Sequence, residues 1–318
     1  MARGKAVCFA VRRVAAATAS VRTQPAAHDY QRLRLESEKS MRLTTLVRWG
    51  ILALGSSMLV LSAQAQNAAE KEKPAALKLG VIPVAANAAT ELAIQKAKEQ
   101  GLEVELVEFS DWVVPNTAVV DGAVDFNFFQ HEPFMNQFNR NQGAKLVAID
   151  YGYSTTMGIY SKKLKQGDAI PERAKIAIPS DPVNTARALL LLQTAGLIAL
   201  KPGVTSEATL DDIVQNPKHI DIIQIDGAHS ARSFDDVTAS VTYAAFAKQA
   251  GIAETDGLLF DNTDPENIRR YAIRFVTLPE RAKDARIGQF IQIYQNTPEV
   301  QAILKKHYGA LIDFAWKQ

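Results

Sequence analysis

From Leu77 to the end, short apolar β-type runs alternate with amphipathic helical stretches, and this rhythm limits the fold more than any other feature. LKLGVIP (77–83) reads as a buried strand and residues 87–100 as a helix, with Asn87 a candidate cap and Gly101 a stop. LEVELVEF (102–109) and AVDFNFF (123–129) read as strands, with a helix between them that starts near Ser110-Asp111 and must accommodate Pro115. A helix to Gln142 and the strand AKLVAID (144–150) complete a first set. A second set begins at KIAIP (175–179) and a helix over 182–195 with Pro182 in its first turn. HIDIIQI (219–225), DVTASVTY (236–243) and YAIRFVTL (271–278) are strand-like, and helices near 282–295 and 297–306 close the chain. Such alternation predicts an α/β fold, with helices flanking mostly parallel sheets. Two sets predict two lobes, with a strand-rich crossing at 150–162 and a return near 255–270, where Asp, Asn, Gly and Pro cluster. The expected division is 66–155 and 258–318 for lobe 1 and 156–257 for lobe 2. In folds of this kind ligands bind between domains, beyond the carboxyl ends of strands.

Charge separates the first 65 residues from the rest. Residues 1–65 carry ten Lys/Arg and three Asp/Glu, a net of +7, whereas 66–318 carry 26 and 31, a net of −5. Met41 opens a basic n-region with Arg42 and Arg48, followed by the 13-residue apolar run WGILALGSSMLVL (49–61) and the small-residue pattern Ala63-Gln64-Ala65. This order is that of a secretory signal peptide, and the run is short of the roughly 20 residues a membrane-spanning helix needs. Residues 41–65 are therefore read as a signal peptide, 1–40 as an upstream extension, and 66–75 as a polar tether. The exported product would run from Gln66 to Gln318. The single cysteine, Cys8, lies in the leader, so the product would have no disulfide, no Cys-based zinc site and no cysteine for lipid attachment. The overall net charge of +2 gives no reason to expect a nucleic-acid partner.

Signals for catalysis are missing. The histidines, at 28, 131, 219, 229 and 307, show no i,i+4 pair, and there is no HExxH, GxSxG, P-loop or GxGxxG pattern. No cofactor or metal is expected.

Three segments instead suggest a binding site. Phe126–Phe134 places aromatics, an amide pair and His131 at a strand end. Phe129 and Phe134 fit a pocket wall or a core, and His131 fits a ligand donor or a helix cap. Trp112, after Ser110-Asp111 at another strand end, fits a stacking platform or a packing residue. In Pro179–Arg187 a strand gives way to a helix, whose free N–H groups favour an anion. Asn184 and Arg187 share a face there, and Arg187 could grip a carboxylate with two parallel hydrogen bonds. Together these features suggest a small zwitterion with an apolar side chain.

The same segments resemble the NlpA/MetQ family, the methionine-type substrate-binding proteins of bacterial ABC importers. The resemblance is carried by 107–139 (VEFSDWVVPNTAVVDGAVDFNFFQHEPFMNQFN), 157–163 (MGIYSKK), 176–198 (IAIPSDPVNTARALLLLQTAGLI) and 232–237 (RSFDDV), within a span of 77–318. It implies a two-lobed type II periplasmic binding protein fold, a cleft that closes over an amino acid, and delivery to a membrane permease with its ATPase. The site it implies is Trp112, Phe129, Gln130, His131, Asn184 and Arg187, plus Tyr243, which stands where the family usually has an Asn; the reading of the residues adds Phe134 to the aromatic wall. Phe128 likewise replaces a usual Tyr, and VIPVAAN (81–87) replaces a PGPH-like stretch. The expected protein is a monomeric periplasmic receptor for methionine or a related small amino acid or derivative. Two alternatives are an exported hydrolase acting on an amino-acid derivative and a ligand sensor outside transport.

Overall fold

The computed structural model describes residues 75–253, 255–261 and 265–317. The expected upstream extension, signal peptide and nearly all of the tether lie outside the described residues.

The first set of elements forms as the apolar spacing demands. β1 (Leu77–Val81) is followed by α1 (Asn87–Glu99), β2 (Val104–Glu108), α2 (Val114–Val120), β3 (Phe126–His131), α3 (Glu132–Gln142) and β4 (Val147–Tyr151). The predicted strands are trimmed at their ends, and β3 runs on to His131. Asn87 begins α1 rather than capping it, and its side chain donates to the Ile82 carbonyl. Pro115 does not interrupt α2 because it occupies the first turn, where a missing N–H costs nothing. Two further strands, β5 (Tyr153–Thr155) and β6 (Met157–Tyr160), fill the predicted crossing.

The second set comprises β7 (Lys175–Pro179), α4 (Pro182–Thr194), β8 (Ala199–Leu200), β9 (Ile213–Gln215), β10 (Asp221–Ile225), α5 (Ser230–Ser233), β11 (Ala239–Tyr243), α6 (Ala244–Gln249) and β12 (Leu259–Phe260). The chain ends with α7 (Pro265–Arg270), β13 (Ile273–Thr277), α8 (Ala285–Asn296), α9 (Pro298–Tyr308) and β14 (Ile312–Phe314). Among the described residues no helix is long and apolar enough to cross a membrane.

Two five-stranded sheets organise these elements, in the orders β2-β1-β3-β13-β4 and β10-β7-β11-β6-β12. In the first, β1 pairs in parallel with β2 and β3, but β13 runs antiparallel to β3 and β4. In the second, β7 is parallel to β10 and β11, but β6 is antiparallel to β11 and β12. The expectation of mostly parallel sheets is thus corrected to an even mixture. A parallel pair requires a crossover helix, whereas β6 and β13 are the strands on which the chain arrives from the other sheet. The expected return at residue 258 also shifts, because β12 still pairs with β6.

Each sheet has its own core. In the first, Phe126, Phe128, Phe275, Phe290 and Tyr294 pack together under α8, and the Phe128 and Phe275 rings stack 4.0 Å apart. Its other face is covered by Val119, Met135 and Phe138 of α2 and α3. In the second, Ile176, Ile178 and Val241 meet Leu189 and Leu192 of α4. At about 1.5–3 kcal/mol for each fully buried large side chain, these clusters hold the strand ends rigidly enough to present a site.

Candidate functional site

The first sheet brings its contribution on β3 and on the turn before α2. Asn116, Asn127 and Gln130 form a buried amide triad: Asn116 Nδ2 donates to Gln130 Oε1 (2.8 Å), Asn127 Nδ2 to Asn116 Oδ1 (2.9 Å), and Gln130 Nε2 to Asn127 Oδ1 (3.0 Å) and Asn116 Oδ1. The triad pins α2 to β3. Asp111 Oδ1 accepts from the N–H groups of Val113 and Val114 and so shapes the turn that carries Trp112. Trp112 lies edge-to-face with Phe134 and Tyr243, at ring separations of 6.2 Å each. It also packs at 5.9 Å from Phe246.

His131, the last residue of β3, caps α3 with Nδ1 accepting from the Phe134 N–H at 3.2 Å. With Nδ1 an acceptor, the neutral ring carries its proton on Nε2. That atom lies 3.2 Å from Asn184 Oδ1 and 3.1 Å from the Tyr243 hydroxyl, both brought by the second sheet. Burial, reinforced by the nearby Arg187 cation, pushes the imidazole down to about 3, so it is neutral at physiological pH.

The second sheet presents Asn184 and Arg187 on α4 and Tyr243 at the end of β11. Asp181 caps α4, accepting from the Asn184 N–H (2.9 Å) and from Asn184 Nδ2 (3.1 and 3.0 Å). The anion expected at this helix start is therefore matched by the chain's own carboxylate. The Asn184 amide is held with Oδ1 outward, where the Tyr243 O–H donates to it at 2.7 Å. Burial pushes the phenol of Tyr243 up, so it stays protonated.

Arg187 is only 4% exposed. Its Nε and Nη2 grip Asp261 with two bonds, the second 3.1 Å long, and Nη1 donates to the Tyr243 hydroxyl at 3.3 Å. Its guanidinium lies 3.9 Å from the Tyr271 ring centre. Burial alone would lower its pKa, but Asp261 together with Tyr243 and Tyr271 more than offsets this and the net shift is upward. Asp261 in turn is fixed at the end of β12, accepting from the Met157 N–H at 3.0 Å.

Between the sheets lies a cavity of about 60 Å³, lined by seven of the eight predicted residues: Trp112, Phe129, Gln130, His131, Phe134, Asn184 and Tyr243. The eighth, Arg187, sits behind Tyr243 and does not line it. Val84, Asn87, Phe128, Phe246 and Ile273 are among the other residues of the wall. Where a water-sized group needs roughly 10–15 Å³ on such a measure, the space suits an amino-acid-sized molecule rather than a peptide. Sequence reasoning missed Asp261 and Tyr271, which lie in or beside the stretch read as a crossing. It also missed Gly227, on which the Trp112 ring rests so closely that a Cβ there would fall 2.2 Å from the indole. An aromatic following β11, Phe246, was the one readable signal left unused. Among the described residues no cluster of His, Cys, Asp and Glu could hold a metal.

Two mixed sheets with a walled cavity between them, fed by strand ends and helix starts, define a two-lobed periplasmic binding protein. The family described as NlpA lipoprotein matches residues 77–316, and the chain belongs to it. It is 36% identical over 248 residues to the D-methionine-binding lipoprotein MetQ of Escherichia coli K12, covering 76% of this chain and 90% of that one. A periplasmic substrate-binding protein of an ABC transporter from Coxiella burnetii superposes with a TM-score of 0.69 at 36% identity, covering 75% of this chain and all of its own. A nutrient-binding protein from Burkholderia cenocepacia bound to methionine gives 0.69 at 33% identity, covering 75% and 99%.

Proposed function

We propose that the chain is the receptor of an ABC importer, exported to the periplasm, where it holds methionine or a related small amino acid or derivative between its lobes. The observation that carries this reading is the interlobe cavity itself: aromatic walls at one end and, at the other, the His131–Asn184–Tyr243 hydrogen-bond cluster contributed by both sheets. The thioether side chain would lie among Trp112, Phe129 and Phe134. The other end of the ligand would meet Asn184, His131 and Tyr243, with Arg187 acting from behind the phenol. In this reading the receptor is a monomer that closes about the segments joining its sheets, hands its ligand to a permease with its ATPase, and catalyses nothing. Lobe 1 would comprise 66–155 and the return segment after β12, and lobe 2 the residues between.

Native mass spectrometry of protein purified without denaturation tests the reading. A co-purifying small molecule of methionine type, bound one to one and released unchanged, is the expected result. Turnover of that molecule would favour the hydrolase instead.

A further inference from the structure

The guanidinium of Arg187 is gripped in its plane by its own sheet. Nε and Nη2 donate to Asp261, and Nη1 donates to the Tyr243 oxygen at 3.3 Å. Tyr243 ends β11 and Asp261 follows β12, both strands of the second sheet. A guanidinium carries more N–H groups than these bonds use, so some remain for the anionic end of a ligand. Its face is covered from the other side of the cleft. Tyr271 follows α7 and leads into β13 of the first sheet, and its ring centre lies 3.9 Å from the guanidinium carbon. The same ring meets His131, at the end of β3, edge-to-face at 5.2 Å. Of the three residues that hold the guanidinium, Tyr271 alone comes from the first sheet's side. Because Tyr271 and Arg187 arrive on different sheets, drawing the sheets apart breaks their contact.

The Tyr271 ring also walls a second and larger hollow, of about 460 Å³, between α3 and the start of α4. Glu132, Arg140, Glu207 and Arg270 line this hollow as well, and walls so polar hold water. Arg187, at 4% exposure, does not line it. Tyr271 therefore stands between the buried cation and that water. Water reaching the guanidinium would raise the local dielectric and weaken its pull on a carboxylate. An aromatic face covers a cation better than an aliphatic chain does, because its quadrupole attracts the charge while its bulk excludes water.

We infer that Tyr271 is a positioning residue for ligand binding: its ring closes over Arg187 as the lobes meet, fixes the guanidinium and shuts out the water of the second hollow. The inference deepens the proposed function and rests on its assignment of Arg187 to the polar end of the ligand.

Calorimetry and stopped-flow fluorescence with L-methionine test it, on the purified protein and on three forms altered at position 271. Tyr271→Phe keeps the ring face, and Tyr271→Leu fills much of the space without one. A trifluorinated phenylalanine at the same position keeps the ring's shape but drains its face of negative potential. Tyr271→Phe is expected to stay within about threefold of the unsubstituted protein, and Tyr271→Leu to bind roughly tenfold more weakly, mostly through faster release. The fluorinated form is expected to fall between them. Tyr271→Leu binding as tightly as Tyr271→Phe would show that the side chain only fills space, and would overturn the inference. If the Leu variant does not fold, the phenylalanine and its fluorinated form decide. Equal affinities of that pair overturn the inference, since the two differ chiefly in the charge of the ring face. Failure of the unsubstituted protein to bind L-methionine would instead overturn the ligand assignment, and the inference with it.

Discussion

The two lobes contribute to the cavity in different ways. The first sheet delivers its wall from aromatic side chains, Trp112, Phe129 and Phe134, steadied by an amide triad that carries no charge. The second delivers its end from an ion pair, Arg187 with Asp261, seen by the cavity only through Tyr243 and Asn184. One lobe is thus built on contact area, which tolerates change gradually. The other is built on a buried charge pair, which fails abruptly when one partner is lost.

The largest expected effect tests that contrast directly. Arg187→Ala strands the Asp261 carboxylate in the interior and should cost about 3–5 kcal/mol in urea unfolding, whereas pairing it with Asp261→Asn should recover much of the loss. Equal destabilisation by the single and double variants would mean that packing, not charge, dominates the second lobe.

Gly227→Ala probes the contact of the first lobe's wall with the second. A Cβ there meets the Trp112 ring at 2.2 Å, so the ring must move for the lobes to close. Ligand affinity by calorimetry should fall about tenfold, or about 1.4 kcal/mol, with little change in unfolding midpoint. The added substitution Trp112→Phe should relieve the clash.

A comparable effect of pH falls on His131. Its folded pKa, about 3, lies below its usual 6.5. Between those values the unfolded chain binds a proton that the folded chain does not, so stability falls as pH drops below 6.5 and is unaffected above it. The loss should approach about 1.4 kcal/mol per pH unit. His131→Gln, measured in the same urea series at pH 7 and 5, should show a shallower decline.

The smallest effect is a control far from the cavity. Asp284 caps α8, accepting from the Arg286 N–H, and hydrogen bonds from Arg286 and Arg281 hold its carboxyl down at about 2. Asp284→Ala should cost about 1 kcal/mol of stability and leave ligand binding unchanged.

Much of this was legible along the chain. Strand and helix positions follow from apolar spacing, and the start of α4 follows from Pro182 in its first turn. Of the two roles read for His131, the cap is seen on Nδ1, while Nε2 reaches the second lobe. Phe126 and Phe128 went to the core, with Phe128 also reaching the cavity wall beside Phe129, a sharing that strand alternation allows but does not choose. The partner of Arg187 was beyond reach. Asp261 is 74 residues away and belongs to a stretch whose composition suggests only a connection.

Sequence alone determined which segments are strands and helices, that two α/β sets exist, and which aromatics and polar residues end up at strand termini, because local spacing and capping act over a few residues. Tertiary structure alone decided the antiparallel returns of β6 and β13 and the pairing of Arg187 with Asp261. Both depend on which distant side chain meets which, and a charge is cancelled by proximity in space, whatever its place in the chain.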